Sequence, residues 1–362
     1  MADPITEWLE SGQFISIEGM DLLPLSADEL PGAPVIMKST RSEVFFMRDS
    51  GGELWAIKRF LSDHPHISKR DLIKTLIPHR PGFEAGYMRR VLTRESISNP
   101  GFRKPPLSTW IENAVLMPAV KGTSWAVISA AIIKGEQYLP RKHRLKLIRS
   151  LSEKIQWLEG QEISHRDLSA ANVCVDLRDA EIHLVDWDVI FHSSLPMPAR
   201  IGRGTTGYRA PFLNVRGVSD GRLSWKPRAD RFSLALLNAE ILSISEGLQA
   251  TGENGLCHQD ELYNRAGPCL DAMRIILKAN YPKAAGLLQR ALSAQSFEEC
   301  PPPEDWAAST GTEPSSRTVP IPIRGPVPFA ELNRALFTQR RHSSYVKLKR
   351  HLFARPPFKV NL

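Results

Sequence analysis

The chain has 362 residues, 42% hydrophobic and 24% charged, proportions that allow a substantial core and exclude both a disordered polypeptide and a membrane-embedded one. Its longest apolar stretch, residues 126–133, falls far short of the ~20 residues a bilayer span requires. The formal net charge of +8 belongs to residues 320–362, with nine Lys or Arg against one Glu; the rest balances at 38 basic and 38 acidic groups, so the body carries no field of the kind nucleic acid demands.

Residues 1–35 read as an N-terminal extension. From residue 35 to Lys58 the pattern is extended: Val44, Phe46 and Met47, then Leu54, Ala56 and Ile57, flank Asp49, Ser50, Gly51 and Gly52, a turn composition that predicts a hairpin ending in a lysine. A weakly periodic stretch rich in Pro and basic residues follows. Asn113 to Met117 then forms a short buried-strand candidate halted by Pro118. Strands are expected to dominate residues 36–120.

Helices are expected over residues 121–306. Leu145, Ile148, Leu151, Ile155 and Leu158 recur at steps of three and four until Gly160 supplies a stop. That helix runs into a loop carrying His165, Arg166, Asp167 and Asn172. Two short strand candidates, 173–175 and 182–185, enclose a polar turn, so this loop and the following Asp186, Trp187 and Asp188 both sit at strand ends. Helical patterns return at 229–243, 269–279 and 284–294, and no internal repeat is visible. Residues 307–328, rich in Pro, Ser, Thr and Gly, read as a linker. Residues 329–362 form a basic tail with two amphipathic helical patterns. It serves either as a solvated appendage docked on the body or as a contact for an acidic protein, nucleic acid or an anionic membrane surface.

Cys174, Cys257, Cys269 and Cys300 lack the spacing of a metal or redox pair. The N-terminus shows no basic segment followed by an apolar block. A reducing cytoplasmic location is therefore expected.

Phosphoryl transfer needs a lysine on the phosphates, oxygen ligands for Mg²⁺ and a carboxylate to take the proton of the attacking hydroxyl. Lys58 at a strand end, Asp167 and Asn172 on one loop, and Asp186 after the next strand supply these in order. With these residues in view, the chain resembles the eukaryotic-type protein kinase superfamily over residues 36–306. Trp55, Ala56, Ile57 and Lys58 are similar to the lysine-bearing strand, His165 to Asn172 to the catalytic loop, and Asp186, Trp187 and Asp188 to the metal-binding Asp-Phe-Gly. The run Gly204, Thr205, Thr206, Gly207, Tyr208, Arg209, Ala210, Pro211 resembles the end of a Ser/Thr kinase activation segment. Asp230 to Leu234 looks like the start of the buried helix that anchors the helical lobe.

The resemblance implies an α+β, bilobal protein kinase-like fold: an N-terminal antiparallel sheet lobe over 36–120 and a mainly helical C-terminal lobe over 121–306. It implies ATP and Mg²⁺ (or Mn²⁺) as cofactors and phosphoryl transfer to Ser or Thr of a protein substrate, with autophosphorylation at Thr205 or Thr206. Asp167 would be the base, Asn172 and Asp186 the metal ligands, and Lys58 the phosphate clamp. Met117 would border the adenine, with Pro118 offering a carbonyl and Val120 an N–H.

Departures from the family pattern shape further expectations. Met37, Ser39 and Ser42 stand at the glycine positions of the phosphate-covering loop, so Ser39 and Ser42 would contact phosphate. No Glu lies between Arg59 and Phe83; Glu84 is the candidate partner of Lys58 and Asp71 the runner-up, an ordinary surface carboxylate being the equal reading of either. Ser169 replaces a lysine that neutralises the transferring phosphoryl, a form shared with kinases of small molecules, lipids or sugars. A kinase-fold binding module without turnover is the remaining alternative. Asp188 replaces the motif glycine and either joins the metal shell or faces solvent; Arg166 pairs with a phosphate or a backbone oxygen. Phe212 replaces the glutamate after Ala-Pro and its arginine partner is missing near Cys300, which implies an apolar contact in place of a buried ion pair.

Overall fold

The computed structural model describes residues 8, 13–27, 30–34, 36–38, 42–61, 70–98, 107–198, 201–202, 204–215, 218–219 and 221–310. All lie within the first of two units into which the chain divides, Met1–Pro320. The basic tail and Ser39 fall outside the described residues.

The fold is α+β, with strands first and helices after. The strands are β1 (Ile15–Ile17), β2 (Met20–Pro24), β3 (Ser26–Ala27), β4 (Leu30–Pro34), β5 (Ile36–Lys38), β6 (Ser42–Asp49), β7 (Leu54–Phe60), β8 (Arg90–Val91) and β9 (Val115–Pro118). Seven of them form one antiparallel sheet in the order β1-β2-β6-β7-β9-β8, with β5 also on β6, while β3 and β4 pair separately. The β6–β7 turn closes as its composition predicts: the Asp49 carboxylate accepts the N–H groups of Gly51 and Glu53, each at 2.9 Å, and Gly52 takes φ 86°.

Residues 15–24, expected as part of an extension, belong to this sheet. Leu22 opposes Asp49 and Pro24 opposes Met47, so β2 covers one half of the β6 edge while β5 covers the other. Ile15, Ile17 and Leu22 are fully buried and join Phe45, Met47 and Ile57 in a core on one face of the sheet. The backbone groups of β6 are thereby paired on both sides, which removes an exposed edge.

Short helices α1 (Arg70–Leu76), α2 (Glu84–Tyr87) and α3 (Leu107–Ile111) lie among the later sheet strands. Beyond β9 come β10 (Thr123–Ser124), α4 (Trp125–Ile133), α5 (Arg141–Gly160) and the hairpin β11 (Val173–Asp176) and β12 (Glu181–Leu184). Helices α6 (Arg231–Ser243), α7 (Gln259–Asn264), α8 (Pro268–Asn280), α9 (Pro282–Ser293) and α10 (Pro303–Ala308) follow. These elements enclose a second, larger core. The apolar stripe of α5 is fully buried there, including Leu147, Leu151, Ile155 and Leu158.

Helix α6 is buried on nearly every side and is therefore central. Arg144 reaches from α5 to bond the carbonyls of Ile241, Leu242 and Ile244 at 3.1, 3.1 and 2.7 Å, satisfying the C-terminus of α6 inside the protein. Arg231 forms a bidentate pair with Glu159, at 2.7 Å for the shorter bond, which ties the start of α6 to the end of α5. Composition starts a linker at Ala307, but Ala307 and Ala308 complete α10 and Thr310 is buried beneath Arg149, so folded structure continues past that point. Among the described residues, no helix is long and apolar enough to cross a membrane.

Candidate functional site

Strand alternation puts Lys58 on the opposite face of β7 from the buried Ile57. Val44 on β6 and Val115 on β9 oppose Lys58, and Phe46 and Met117 oppose Ala56, so these six residues share that second face. Val44, Phe46 and Met117 are only half-buried, leaving an apolar strip beside the lysine.

The Lys58 ammonium lies 2.7 Å from Asp186 Oδ1 and 2.7 Å from Asp188 Oδ2. Burial alone would lower its pKa, but the two carboxylates outweigh that effect and hold it above the ordinary lysine value. Burial and the Asp188 charge raise the Asp186 pKa, with Lys58 opposing them. Asp186 keeps 37% of its side chain open, whereas Asp188 keeps 3%.

Register builds the rest. In the β11–β12 hairpin Val173 opposes Leu184, and the Val185 N–H bonds Asn172 O at 3.0 Å, so Asn172 and Asp186 emerge at the same end. The Asn172 amide N–H₂ donates to Asp167 O at 2.8 Å and to Asp167 Oδ2 at 3.3 Å, which leaves its oxygen to face other partners. Thr205 donates its hydroxyl to Asp167 Oδ1 at 2.7 Å.

The loop is pinned from below. Asp230, 1% exposed, accepts the N–H of His165 at 2.6 Å and of Arg166 at 2.8 Å. His165 Nε2 donates to Val185 O at 2.8 Å, which fixes the proton on that nitrogen. Trp187 is packed between Phe83 and His165, and its indole N–H bonds Leu184 O at 3.0 Å. Arg166 and Asp186 have φ of 63° and 65°, conformations that cost a side-chain-bearing residue about 1–2 kcal/mol each. Two strained residues one loop apart mark where the surrounding contacts over-determine the backbone.

Lys58, Asp167, Asn172 and Asp186 are thus brought together; Met117 on β9 opposes Ala56 on the same sheet face as Lys58, and Pro118 and Val120 beyond it are partly exposed. Ser42 begins β6 opposite Phe60.

Four expectations are corrected. Glu84 does not meet Lys58: its carboxylate folds back on the Gly82 N–H and lies 3.2 Å from His183 Nδ1, and it is held below the usual carboxylate range because these donors outweigh its burial. Asp71 is a surface residue facing Lys74. Asp188 does not face solvent, being clamped between Lys58 and Arg89, the latter at 2.5 Å. Thr205 has its hydroxyl on Asp167, where a phosphate would set like charges together; Thr206 stays partly exposed.

The open alternatives resolve as follows. Arg166 takes backbone oxygens, those of Ser224 and Val189, at 3.0 and 2.9 Å, and burial lowers its pKa to about 10, still charged at neutral pH. Ser169 is fully buried. Phe212 makes the apolar contact, edge-to-face against Phe297 at 4.9 Å. Arg89 was not singled out by sequence. Its signal was the coincidence of a missing glutamate after Lys58 with an aspartate in place of glycine at 188.

Burial pushes the thiols of Cys174 and Cys300 up to about 12, which makes them poor nucleophiles. Among the described residues, no group of three or more His, Cys, Asp or Glu forms a metal cage. The donor set Asp186 and Asn172 fits a hard cation that takes its remaining oxygens from phosphate and water. Neither the protein-family models nor the curated proteins compared with the chain yield a match.

Proposed function

We propose that the chain is a bilobal, protein kinase-like phosphotransferase that moves the terminal phosphoryl of ATP to Ser or Thr of a protein. The observation that carries this reading is the cluster of Lys58, Asp186, Asn172 and Asp167, assembled from a sheet strand and two loops of the helical core.

Lys58 presents a buried cation to phosphate oxygens. Asp186 and the free oxygen of Asn172 would hold Mg²⁺ or Mn²⁺. When bound, the ion supplies charge neutralisation of the phosphates. Val44, Phe46 and Met117 offer an apolar surface to a flat base. Asp167, half-buried and oriented by Asn172 and Thr205, orients the acceptor hydroxyl and takes its proton as the oxygen attacks. Such chemistry relies on positioning and electrostatics more than on covalent steps, and a loop pinned by Asp230 suits it.

A protein acceptor is favoured by the ordered segment beside Asp167. Thr205 is bonded to the base, the Gly207 N–H to Gln259 at 2.8 Å and the Tyr208 hydroxyl to Glu240 at 2.8 Å. These hold the segment next to the carboxylate, where Asp167, Thr205 and Arg209 line a small depression. The test is incubation of the full chain with γ-labelled ATP and Mg²⁺, with casein and with a small-molecule extract. Label on Ser or Thr, in casein or in the chain itself, is expected. Label confined to small molecules would replace the acceptor class, and nucleotide binding without transfer would leave a binding module.

A further inference from the structure

We infer that Asp188, clamped by Arg89, is the positioning residue for Lys58, keeping the ammonium anchored while Asp186 serves a metal-bound nucleotide. This inference rests on the phosphotransferase reading and adds to it the device that holds the lysine.

One carboxylate bridges two cations. Asp188 Oδ2 lies 2.7 Å from Lys58 Nζ, and Oδ1 lies 2.5 Å from Arg89 Nη2. Both Asp188 and Arg89 are 3% exposed, so this pairing is sealed inside the protein. Asp186 differs: its side chain is 37% open, and it reaches Lys58 through Oδ1. The two carboxylates that share the lysine therefore differ in how open they are to a ligand. Asp186 can turn an oxygen to a ligand in the cleft, while Asp188 has each oxygen occupied by a cation.

Competition explains why two are needed. A divalent cation drawn to Asp186 competes with Lys58 for the same carboxylate. With Asp186 as the sole partner, metal binding would have to break a Lys58 ion pair and would leave the ammonium unanchored. Asp188 relieves both problems, and Arg89 keeps Asp188 from becoming a rival metal ligand. Among the described residues, the carboxylates in ion-pair contact with Lys58 are Asp186 and Asp188, and Glu84 is engaged by Gly82 and His183.

The clamp is also delivered by fixed backbone. Arg89 immediately precedes β8, which pairs with β9, and Asp188 follows the β11–β12 hairpin. Trp187, just before Asp188 in the chain, is locked by Phe83 and by its bond to Leu184 O. Lysine placement then needs no carboxylate from α1, whose Asp71 is on the surface.

The test uses the full chain with Asp188→Gly, Asp188→Asn and the neutral pair Arg89→Gln/Asp188→Asn, which strands no charge. Adenosine binding, binding of an imido-bridged ATP analogue over a Mg²⁺ titration, and kcat and KM for ATP are measured. Adenosine affinity is expected within about twofold of wild type. The Mg²⁺ concentration for half-maximal analogue binding should rise at least about tenfold, with a matching fall in kcat, from loss of one charge-assisted bond. A residue that only supports the fold would weaken adenosine and analogue alike, and that parallel loss would overturn the inference. So would a wild-type Mg²⁺ requirement and transfer rate in Asp188→Gly. Should that variant not fold, the neutral pair decides by the same criteria. A wild-type chain that binds no nucleotide removes the phosphotransferase reading and this inference together. A wild type that binds and transfers beside an indifferent Asp188→Gly removes only this one.

Discussion

Glu240 offers a quantitative test of how the helical core supports the segment beside Asp167. Its carboxyl is 2% exposed on α6 and meets three donors: the Tyr208 hydroxyl at 2.8 Å, the Leu256 N–H at 2.9 Å and the Trp125 indole N–H at 3.2 Å. Burial raises its pKa to about 7, the three donors opposing but not cancelling the shift. The folded state therefore holds a proton that the unfolded state releases near 4.5, so Glu240 makes stability fall as pH rises from about 4.5 to 7 and level off above. A shift of this size corresponds to about 3 kcal/mol at 1.36 kcal/mol per pH unit. Urea unfolding of wild type and Glu240→Gln between pH 4.5 and 8.5 isolates it. The amide's own bonding mismatch is the same at every pH, whereas the difference between the two proteins should drift by roughly 3 kcal/mol in favour of Gln as pH rises. Parallel stability curves, or a drift toward wild type, would show that the three donors keep Glu240 ionised and would refute the reasoning.

Two substitutions test the scaffold around the site. Asp230→Asn replaces one acceptor oxygen with a donor against the His165 or Arg166 N–H, and should cost about 2–4 kcal/mol in urea unfolding and speed amide exchange at both residues; unchanged exchange would remove Asp230 as the loop's anchor. Phe212→Ala should cost roughly 2–3 kcal/mol by loss of the Phe297 and Phe232 ring contacts, and Phe212→Glu more, since it sets a carboxylate among those rings; a loss below about 0.5 kcal/mol would mean the contact carries little.

Much of this architecture can be read where a local signal exists. The β6–β7 hairpin announces itself through Asp49 and Gly52, and α5 through a full stripe of buried leucines and isoleucines. The loop residues Asp167, Asn172 and Asp186 stand out in the sequence because the motifs that carry them resemble the catalytic and metal-binding loops of the kinase family. Strands β1 and β2 were hidden because they are only three and five residues long, and β2, which carries β1 on its outer side, finds its other partner on β6, beyond an intervening β3–β4 pair. Thr205 against Asp167, Glu84 against His183 and Arg89 against Asp188 all join residues far apart in the chain, and a charged side chain carries no local mark of which opposite charge it will meet. For Asp188, its place in a motif suggested an open position, yet the missing glutamate after Lys58 left a buried ammonium that some carboxylate had to balance.

The most direct test of the central claim separates nucleotide binding from transfer within the cluster itself. Wild type, Asp167→Asn and Asp186→Asn are compared for Mg²⁺-dependent nucleotide binding and for label transfer from γ-labelled ATP to Ser or Thr. The account predicts that Asp167→Asn binds Mg²⁺ and nucleotide as wild type does while transfer falls at least about 10²-fold, and that Asp186→Asn loses the Mg²⁺-dependent binding. Transfer at the wild-type rate by Asp167→Asn, or a wild-type chain that binds nucleotide and transfers nothing, would contradict it.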